Sequence, residues 1–446
     1  MIWNERLILK FRMGIFFLIS QQKIFQIILK IRVENMLDNN TRIAVTGTGL
    51  VCPAGINVAA SWDFFLSGKS AARKCEKLEG LEIDYACCIP DFDPDKFLGR
   101  SLARRIDRFI QLALVAYREA VADAGLDPKT WNGARVGVVV GNSLAGIERL
   151  LHEQQVLQSE GDRMVSPSTI PGAMMNMVAG QIAIDCHATG PSLLVSTACA
   201  SGITAIDTAC NWIKQGLCDV VIAGASEAPI VPLIVSGMNR LGALSKNPDI
   251  SHASRPFDRD RDGFVIAEGA GFVVLESKEH AVARGQEVLA LVSGTGLTTD
   301  AYHVTTPHPQ GVGLSAAIKQ ALNNAGLQGE DIQYVNAHGT STRLNDVTEG
   351  RVIEKEIGRH VSVTSLKGAI GHTLAAAGAV ETVMTILSVK HGIIPPTVNL
   401  SSVDPEINLD VVYGESRELK IRHALKLSMG FGGHNGALII SSNEQA

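Results

Sequence analysis

The feature that most narrows the choice of fold is an internal repeat. Near the start, Arg42-Ile43-Ala44-Val45-Thr46 reads as a strand running into a glycine turn at Gly47-Thr48-Gly49. The same pattern returns as a strand over Val288–Ser293 followed by Gly294-Thr295-Gly296. The helical spacing of Ile106–Ala124, with Phe109, Leu112, Ala113, Ala116 and Ala120 on one face, is echoed by Gly311–Ala325. Two related α/β halves follow, each a sheet covered by helices, with their central helices packed together. The division falls at residues 36–285 and 286–446, with insertions mainly in the first half.

Within the first half, the apolar run Leu193-Leu194-Val195 leads into Ser196-Thr197-Ala198-Cys199-Ala200-Ser201-Gly202 and then a helical pattern from Ile203 to Ile213. A buried strand therefore ends near Val195 and a helix starts near Cys199. Unpaired N–H groups at such a start favour a thiolate and can hold an oxyanion. The second half has a small-residue helix, Thr373–Val389, in the matching place. Strands over Ile332–Asn336 and Val361–Thr364 lead to Ala337-His338-Gly339 and Gly371-His372. Cys199, His338 and His372 thus each follow a buried strand among small residues, where such folds open a cleft. Thiolate catalysis, with the imidazoles handling a carbonyl oxygen, is the chemistry this set supports best. A metal held by the same three residues is set aside, because no short-range ligand spacing and no activating glutamate accompany them.

Composition excludes several other classes. Hydrophobic residues at 46% against 19% charged describe a folded chain, and a net charge of -5 offers nothing to nucleic acid. Gly47 and Gly49 lack the third glycine and the acidic partner of a dinucleotide site, so no cofactor is expected. The eight cysteines form no CxxC pairs and read as reduced thiols. Cys87-Cys88 reads as two ordinary small residues of a strand or loop rather than a redox or metal element. Lys69–Leu98 is an irregular excursion, residues 157–170 a loop and Gly172–Gly180 a small-residue helix. The charge-dense stretch from Ser251 to Gly271 is expected to fold back as a paired network. Residues 1–35 mix apolar runs with Arg and Lys, too short to span a bilayer. They are expected to be an extension outside the fold, with Met36 a plausible start.

The motifs Ser196-Thr197-Ala198-Cys199-Ala200-Ser201-Gly202, Asn336-Ala337-His338-Gly339-Thr340-Ser341-Thr342 and Leu366-Lys367-Gly368-Ala369-Ile370-Gly371-His372-Thr373 carry a resemblance. With Arg255-Pro256-Phe257-Asp258, Arg261-Asp262-Gly263-Phe264 and Gly430-Phe431-Gly432-Gly433, the chain resembles the β-ketoacyl-[acyl carrier protein] synthases of the KAS II type, in the thiolase-like superfamily. The resemblance runs from about Arg42 to Ile440 and implies a duplicated five-layered α/β/α/β/α fold.

It also implies a reaction. Cys199 would take an acyl chain from an acyl carrier protein as a thioester, and malonyl carrier protein would then enter. His338 and His372 would hold the malonyl thioester carbonyl as carbon dioxide leaves, and the carbanion would attack the acyl group. The N–H groups of Cys199 and Phe431 would form the oxyanion hole, and Phe431 would also act as a gate. Lys367 and Glu381 match supporting residues of the family, as do Asp346 and Gly432. Arg104, Arg105 and Arg108, with Lys96, are expected to dock the acidic carrier.

A cytoplasmic homodimer in fatty acid elongation is implied. The alternative is the catalytic ketosynthase of a type II polyketide or polyene pathway, paired with a chain-length subunit. Thiolase is disfavoured because residues 427–440 hold no second cysteine, and a KAS III-type enzyme because it would carry asparagine in place of His372. Cys199 argues against a non-catalytic partner subunit. Departures from the family pattern are Arg343, Asn142, His434 and Cys52, none of which removes a catalytic group. Met174, Met175 and Met177 are read as packing that bears on chain length.

Overall fold

The computed structural model describes residues 41–444, so the expectation for residues 1–35 lies outside the described residues. Eleven strands form one hydrogen-bonded sheet: β1 (Ile43–Val51), β2 (Val136–Gly141), β3 (Ser192–Val195), β4 (Val220–Glu227), β5 (Gly269–Ser277), β6 (Ala290–Thr299), β7 (Tyr334–Asn336), β8 (Ser362–Thr364), β9 (Asp410–Val411), β10 (His423–Gly430) and β11 (His434–Ser441). Their spatial order is β9-β8-β7-β10-β11-β6-β1-β5-β4-β2-β3.

The repeat is visible in that order. In the first half β3, β2 and β4 are parallel, and β5 and β1 follow antiparallel. In the second half β8, β7 and β10 are parallel, and β11 and β6 follow antiparallel. The two runs meet where β1 pairs antiparallel with β6 through Ile43↔Val292, Ala44↔Leu291 and Val45↔Ala290.

Seven helices organise the layers: α1 (Arg108–Asp123), α2 (Ile147–Glu160), α3 (Met177–Asp185), α4 (Ser201–Lys214), α5 (Val312–Ala325), α6 (Arg343–Glu356) and α7 (Ala377–His391). Helices α1 and α3 cover the outer face of the first run, and α5, backed by α6, covers that of the second. Helices α4 and α7 fill the space between.

Because strand side chains alternate, strands buried on both faces feed two cores at once. Val138, Val140, Ile222, Phe272 and Val274 pack outward under α1 and α3. Their neighbours Val139, Val221, Ala223 and Val273 point inward to Ile203 and Ile206 of α4 and Val380 and Val383 of α7. Leu425, Leu427 and Ile439 face Leu314 and Ile318 of α5 in a third core. Each fully buried side chain of this size contributes roughly 1.5–3 kcal/mol.

The expected glycine turns are not turns. Gly47 and Gly49 lie inside β1, and Gly294 and Gly296 lie inside β6. A Cβ on Gly49 would stand 1.9 Å from the Ala116 carbonyl oxygen, and one on Gly296 would stand 2.1 Å from that of Ala317. The missing side chains let α1 and α5 lie directly on their strands. The expected helix Gly172–Gly180 is broken into Thr169–Ala173 and α3, because Met174 leaves the helical region at ψ 135. The start of the expected 157–170 loop is the last turn of α2.

Replacing Gly49 with alanine is expected to destabilise the protein by about 3 kcal/mol through overpacking. Gly237→Ala, in the exposed helix Pro232–Arg240 with nothing near the new methyl, is expected to be neutral or stabilising by up to about 1 kcal/mol. Urea denaturation of both variants checks the contrast.

Candidate active site

Cys199 sits between the end of β3 and the start of α4, on a turn held by local bonds. Ala198 takes a left-handed φ of 48°, a strained conformation for a residue with a Cβ. Ser201 Oγ accepts from the Thr197 N–H at 2.9 Å and donates to the Ala198 carbonyl at 2.6 Å. Gly430 approaches from β10 so closely that a Cβ there would lie 3.1 Å from Cys199 N and 2.6 Å from the Thr197 carbonyl oxygen.

His338 follows β7. Its N–H and that of Gly339 both donate to Glu349, at 2.6 and 2.7 Å, and its carbonyl accepts from Lys367 Nζ at 2.5 Å. His372 is held by two backbone bonds, its N–H to the Val265 carbonyl at 2.8 Å and its carbonyl from the Ala267 N–H at 3.0 Å. The preceding Gly371 has φ 71°. The ligating atoms of Cys199, His338 and His372 lie within 4.8 Å of one another. The two imidazoles meet edge to face with centroids 5.3 Å apart. All three line a cavity of about 750 Å³, as do Phe264, Phe431 and Arg343.

Burial dominates the electrostatics. It pushes both imidazoles well below the ordinary histidine range, with Lys367 and Lys426 adding to the shift. His338 and His372 are therefore neutral at physiological pH. The Cys199 thiol is pushed up to about 12, burial outweighing the favourable Lys367 charge, while Glu227 and Glu381 push it further up. Burial thus outweighs the thiolate-favouring effect expected of the helix start. The nucleophile must instead lose its proton to a neighbour during reaction.

The Leu374 N–H donates to His372 Nδ1 at 3.2 Å, so the hydrogen of this neutral ring is on Nε2. A metal at this trio would need that nitrogen bare, and a donor N–H already occupies the other. Among the described residues this is the one group of three such ligands close enough to hold a cation, and its hydrogen bonding suits an oxyanion instead.

The remaining residues singled out in the sequence lie in several separate places. Lys367 and Glu381 lie directly behind the site, Nζ to Oε1 at 2.5 Å. Phe431 and Gly432 form the turn between β10 and β11, and the Gly432 N–H is tied to the Val304 carbonyl at 2.8 Å. Asp346 stands apart from the triad and binds the fully buried Arg261, Nε to Oδ2 at 3.3 Å. Arg261 also bonds Asp404 at 2.7 Å and the Arg343 carbonyl at 3.0 Å. This is the paired network expected of the charged stretch. Arg104 and Arg105 are exposed, whereas Arg108 is bound bidentately to Glu268 at 2.6 and 2.7 Å and lies over the Phe92 ring. Asn142 donates to Glu227 at 2.9 Å and to the Ser226 carbonyl at 2.8 Å.

Two residues of the site carry no motif. Glu349 lies on α6, whose charged pattern resembles a solvated face, yet it is fully buried and burial raises its carboxyl to about 7. Lys426 lies in the apolar strand β10, fully buried, with Nζ 2.6 Å from Glu381 Oε2. Burial lowers its ammonium to about 8. A single lysine inside an apolar strand is the one sequence signal that points to it.

Residues 40–281 match the family described as Beta-ketoacyl synthase, N-terminal domain, and residues 289–401 match its C-terminal domain. The chain is 40% identical over 413 residues to 3-oxoacyl-[acyl-carrier-protein] synthase 2 of Staphylococcus aureus (strain COL), covering 92% of this chain and 100% of that protein. It is similar to the solved ishigamide ketosynthase/chain length factor, with 32% identity, a TM-score of 0.85 and coverage of 91% and 100%. It is also similar to AntDE:AntF, a type II polyketide acyl-carrier protein in complex with its ketosynthase, with 31% identity, a TM-score of 0.83 and coverage of 91% and 100%.

Removing the Lys367 charge raises the Cys199 pKa and lowers its thiolate fraction at any fixed pH. Lys367→Met is therefore expected to slow iodoacetamide alkylation of Cys199 about tenfold, and Glu227→Gln to speed it. Stopped alkylation followed by peptide mass mapping gives the rates.

Proposed function

From the premise that this chain belongs to the β-ketoacyl synthase family, we propose that it condenses an acyl group held on Cys199 with malonyl-[acyl carrier protein], releasing carbon dioxide and 3-oxoacyl-[acyl carrier protein] during fatty acid elongation. The observation that carries this reading is the convergence of one thiol and two neutral imidazoles on the floor of an open cavity. The half spanning 36–285 supplies the nucleophile and that spanning 286–446 supplies the histidines.

The chemistry follows from the protonation states. Cys199 must pass its proton on as it attacks the acyl thioester. His372 cannot take it, since its Nε2 already carries hydrogen. His338 takes it and returns it to the departing carrier thiol. The N–H groups of Cys199 and Phe431 hold the tetrahedral oxyanion, a reading supported by the close approach of the backbone at Gly430, the residue before Phe431, to the Cys199 turn, where a Cβ would stand 3.1 Å from Cys199 N. In the second step the Nε2–H of His372 donates to the malonyl thioester carbonyl, where negative charge appears as carbon dioxide leaves, and His338 donates beside it once its one hydrogen has moved to the ring nitrogen that took up and returned the Cys199 proton. Neutral donors serve here because they need not surrender a proton to bind the enolate. Lys367, Glu381, Lys426 and Glu349 position His338 without touching substrate. The apolar lining of the cavity, Met238, Phe264, Leu344, Met429 and Phe431 among it, limits water around the acyl thioester and the carbanion.

Carrier docking is assigned to Arg104 and Arg105, which are exposed, with Lys96, and not to Arg108, whose guanidinium is occupied by Glu268. A homodimer is supported by the edge of β3, unpaired among the described residues, and by the exposed Ile170, Met174, Ile184 and Leu193. Among the described residues no helix is long and apolar enough to cross a membrane, which fits the proposed cytoplasmic location. The polyketide reading is favoured by the likeness to the ishigamide ketosynthase/chain length factor and to the ketosynthase of the type II polyketide complex AntDE:AntF. The higher identity to 3-oxoacyl-[acyl-carrier-protein] synthase 2 favours the first reading.

Intact-protein mass after mixing with saturated acyl carrier proteins is expected to show one acyl group on Cys199, absent in Cys199→Ala. Addition of malonyl carrier protein then gives a product two carbons longer; loading of polyketide chains alone would favour the alternative. His372→Ala is expected to load normally but to lose about 10²–10³ in malonyl decarboxylation, read by carbon dioxide release. Reversing Arg104 and Arg105 to Glu is expected to raise the apparent KM for carrier protein about tenfold with kcat unchanged, and an unchanged KM rules out this docking face.

A further inference from the structure

We propose that Cys75 and Cys88 are a reversible redox modification site, closing to a disulfide whose formation acts on the loop that carries His372. The sequence draws attention to Cys87-Cys88, but the structure pairs Cys88 with a different thiol. The Cys88 S–H points at Cys75 Sγ, 3.4 Å away, so the two sulfurs are in contact. Both line a second cavity, of about 360 Å³, bordered by Arg73, Lys74, Arg108 and Glu268. A small disulfide can therefore reach them without entering the condensing centre. Cys87 turns the other way and packs against Gly371, where a Cβ would stand 3.0 Å from its sulfur.

The connection to the active site runs through backbone. The Cys87 N–H donates to the Ile266 carbonyl at 2.9 Å, and the neighbouring Ala267 N–H donates to the His372 carbonyl at 3.0 Å. The His372 N–H in turn donates to the Val265 carbonyl at 2.8 Å. On the far side of Cys88, the Ile89 N–H donates to Glu268 at 3.1 Å. The segment bearing Cys88 is thus tied on both sides of that residue to the strand-like stretch that holds His372. Drawing Cys88 from contact distance to a bond length displaces one rung of this ladder.

The exchange needs an external disulfide. The Cys88 thiolate attacks one of its sulfurs, the S–S bond breaks, and one small thiolate leaves and takes a proton. Cys75 then attacks the Cys88 sulfur of the mixed disulfide and expels the second small thiolate. The protein loses two electrons and two hydrogens, which appear on two small thiols. Burial pushes the Cys88 thiol up to about 12, so the exchange is slow at neutral pH and quickens about tenfold per pH unit.

The test uses the full chain incubated with oxidised glutathione at mildly alkaline pH, acid-quenched and digested without reductant. A peptide pair linked through Cys75 and Cys88, reversed by dithiothreitol, is expected. In Cys75→Ser a glutathionyl adduct is expected to remain on Cys88. The oxidised enzyme is expected to keep acyl loading at Cys199 but to lose about tenfold in condensation, recovered on reduction. Cys75→Ser and Cys88→Ser are expected to hold their rates through the same treatment. A protein folded by circular dichroism that yields no such linked peptide, or links either cysteine elsewhere, overturns the site. A linked peptide with condensation unchanged overturns the action on His372.

Discussion

The near-contact of two helix backbones at the centre of the molecule is the constraint on which the rest depends. Gly202 on α4 faces α7 so closely that a Cβ would stand 2.4 Å from the Ala379 N, and Gly378 faces back with a Cβ position 3.0 Å from the Ile203 N. Helices normally pack with axes 8–10 Å apart, and glycine on both sides permits the short end of that range. Cys199 immediately precedes α4, and His372 lies a few residues before α7. Drawing the helices together therefore draws the nucleophile of one half toward the histidine of the other. The third member, His338, comes from β7 beside β10, and β10 packs on α7.

Burial at that centre sets the chemistry. Two imidazoles taken out of water beside Lys367 and Lys426 stay neutral, and a thiol in the same place stays protonated. Two buried ammonium groups would be costly alone, but Glu381 bridges them, 2.5 Å from one and 2.6 Å from the other. The same lysines contact the backbone leading to and through His338. One charge cluster thus places a catalytic ring and holds its protonation state, without lying in the substrate cavity.

Which residues are legible from the chain has a consistent physical explanation. Cys199, His338 and His372 stand out because each ends an apolar run and sits among small residues, a local signature. Glu349 carries no local signature, because α6 has charged residues around most of its circumference and only the packing against the His338 turn decides which of them is buried. Lys426 shows itself only as a lone lysine in an apolar strand, and the strand does not announce that its inward face meets a carboxylate from another helix. Gly47 and Gly49 look like turn formers in the sequence, but glycine also marks a place where a helix lies on a strand. Arg108 looks like part of a basic docking face, and its partner Glu268 is remote in sequence.

The repeat, the class of fold, the nucleophile and both histidines are readable from the chain alone. These depend on hydrophobic periodicity and on residues adjacent in the chain, which any short window contains. That the thiol is protonated, that the imidazoles are neutral with hydrogen on His372 Nε2, and that Cys88 touches Cys75 follow from the folded packing. Those properties depend on desolvation and on contacts between segments far apart in the chain, and neither exists until the two halves close on each other.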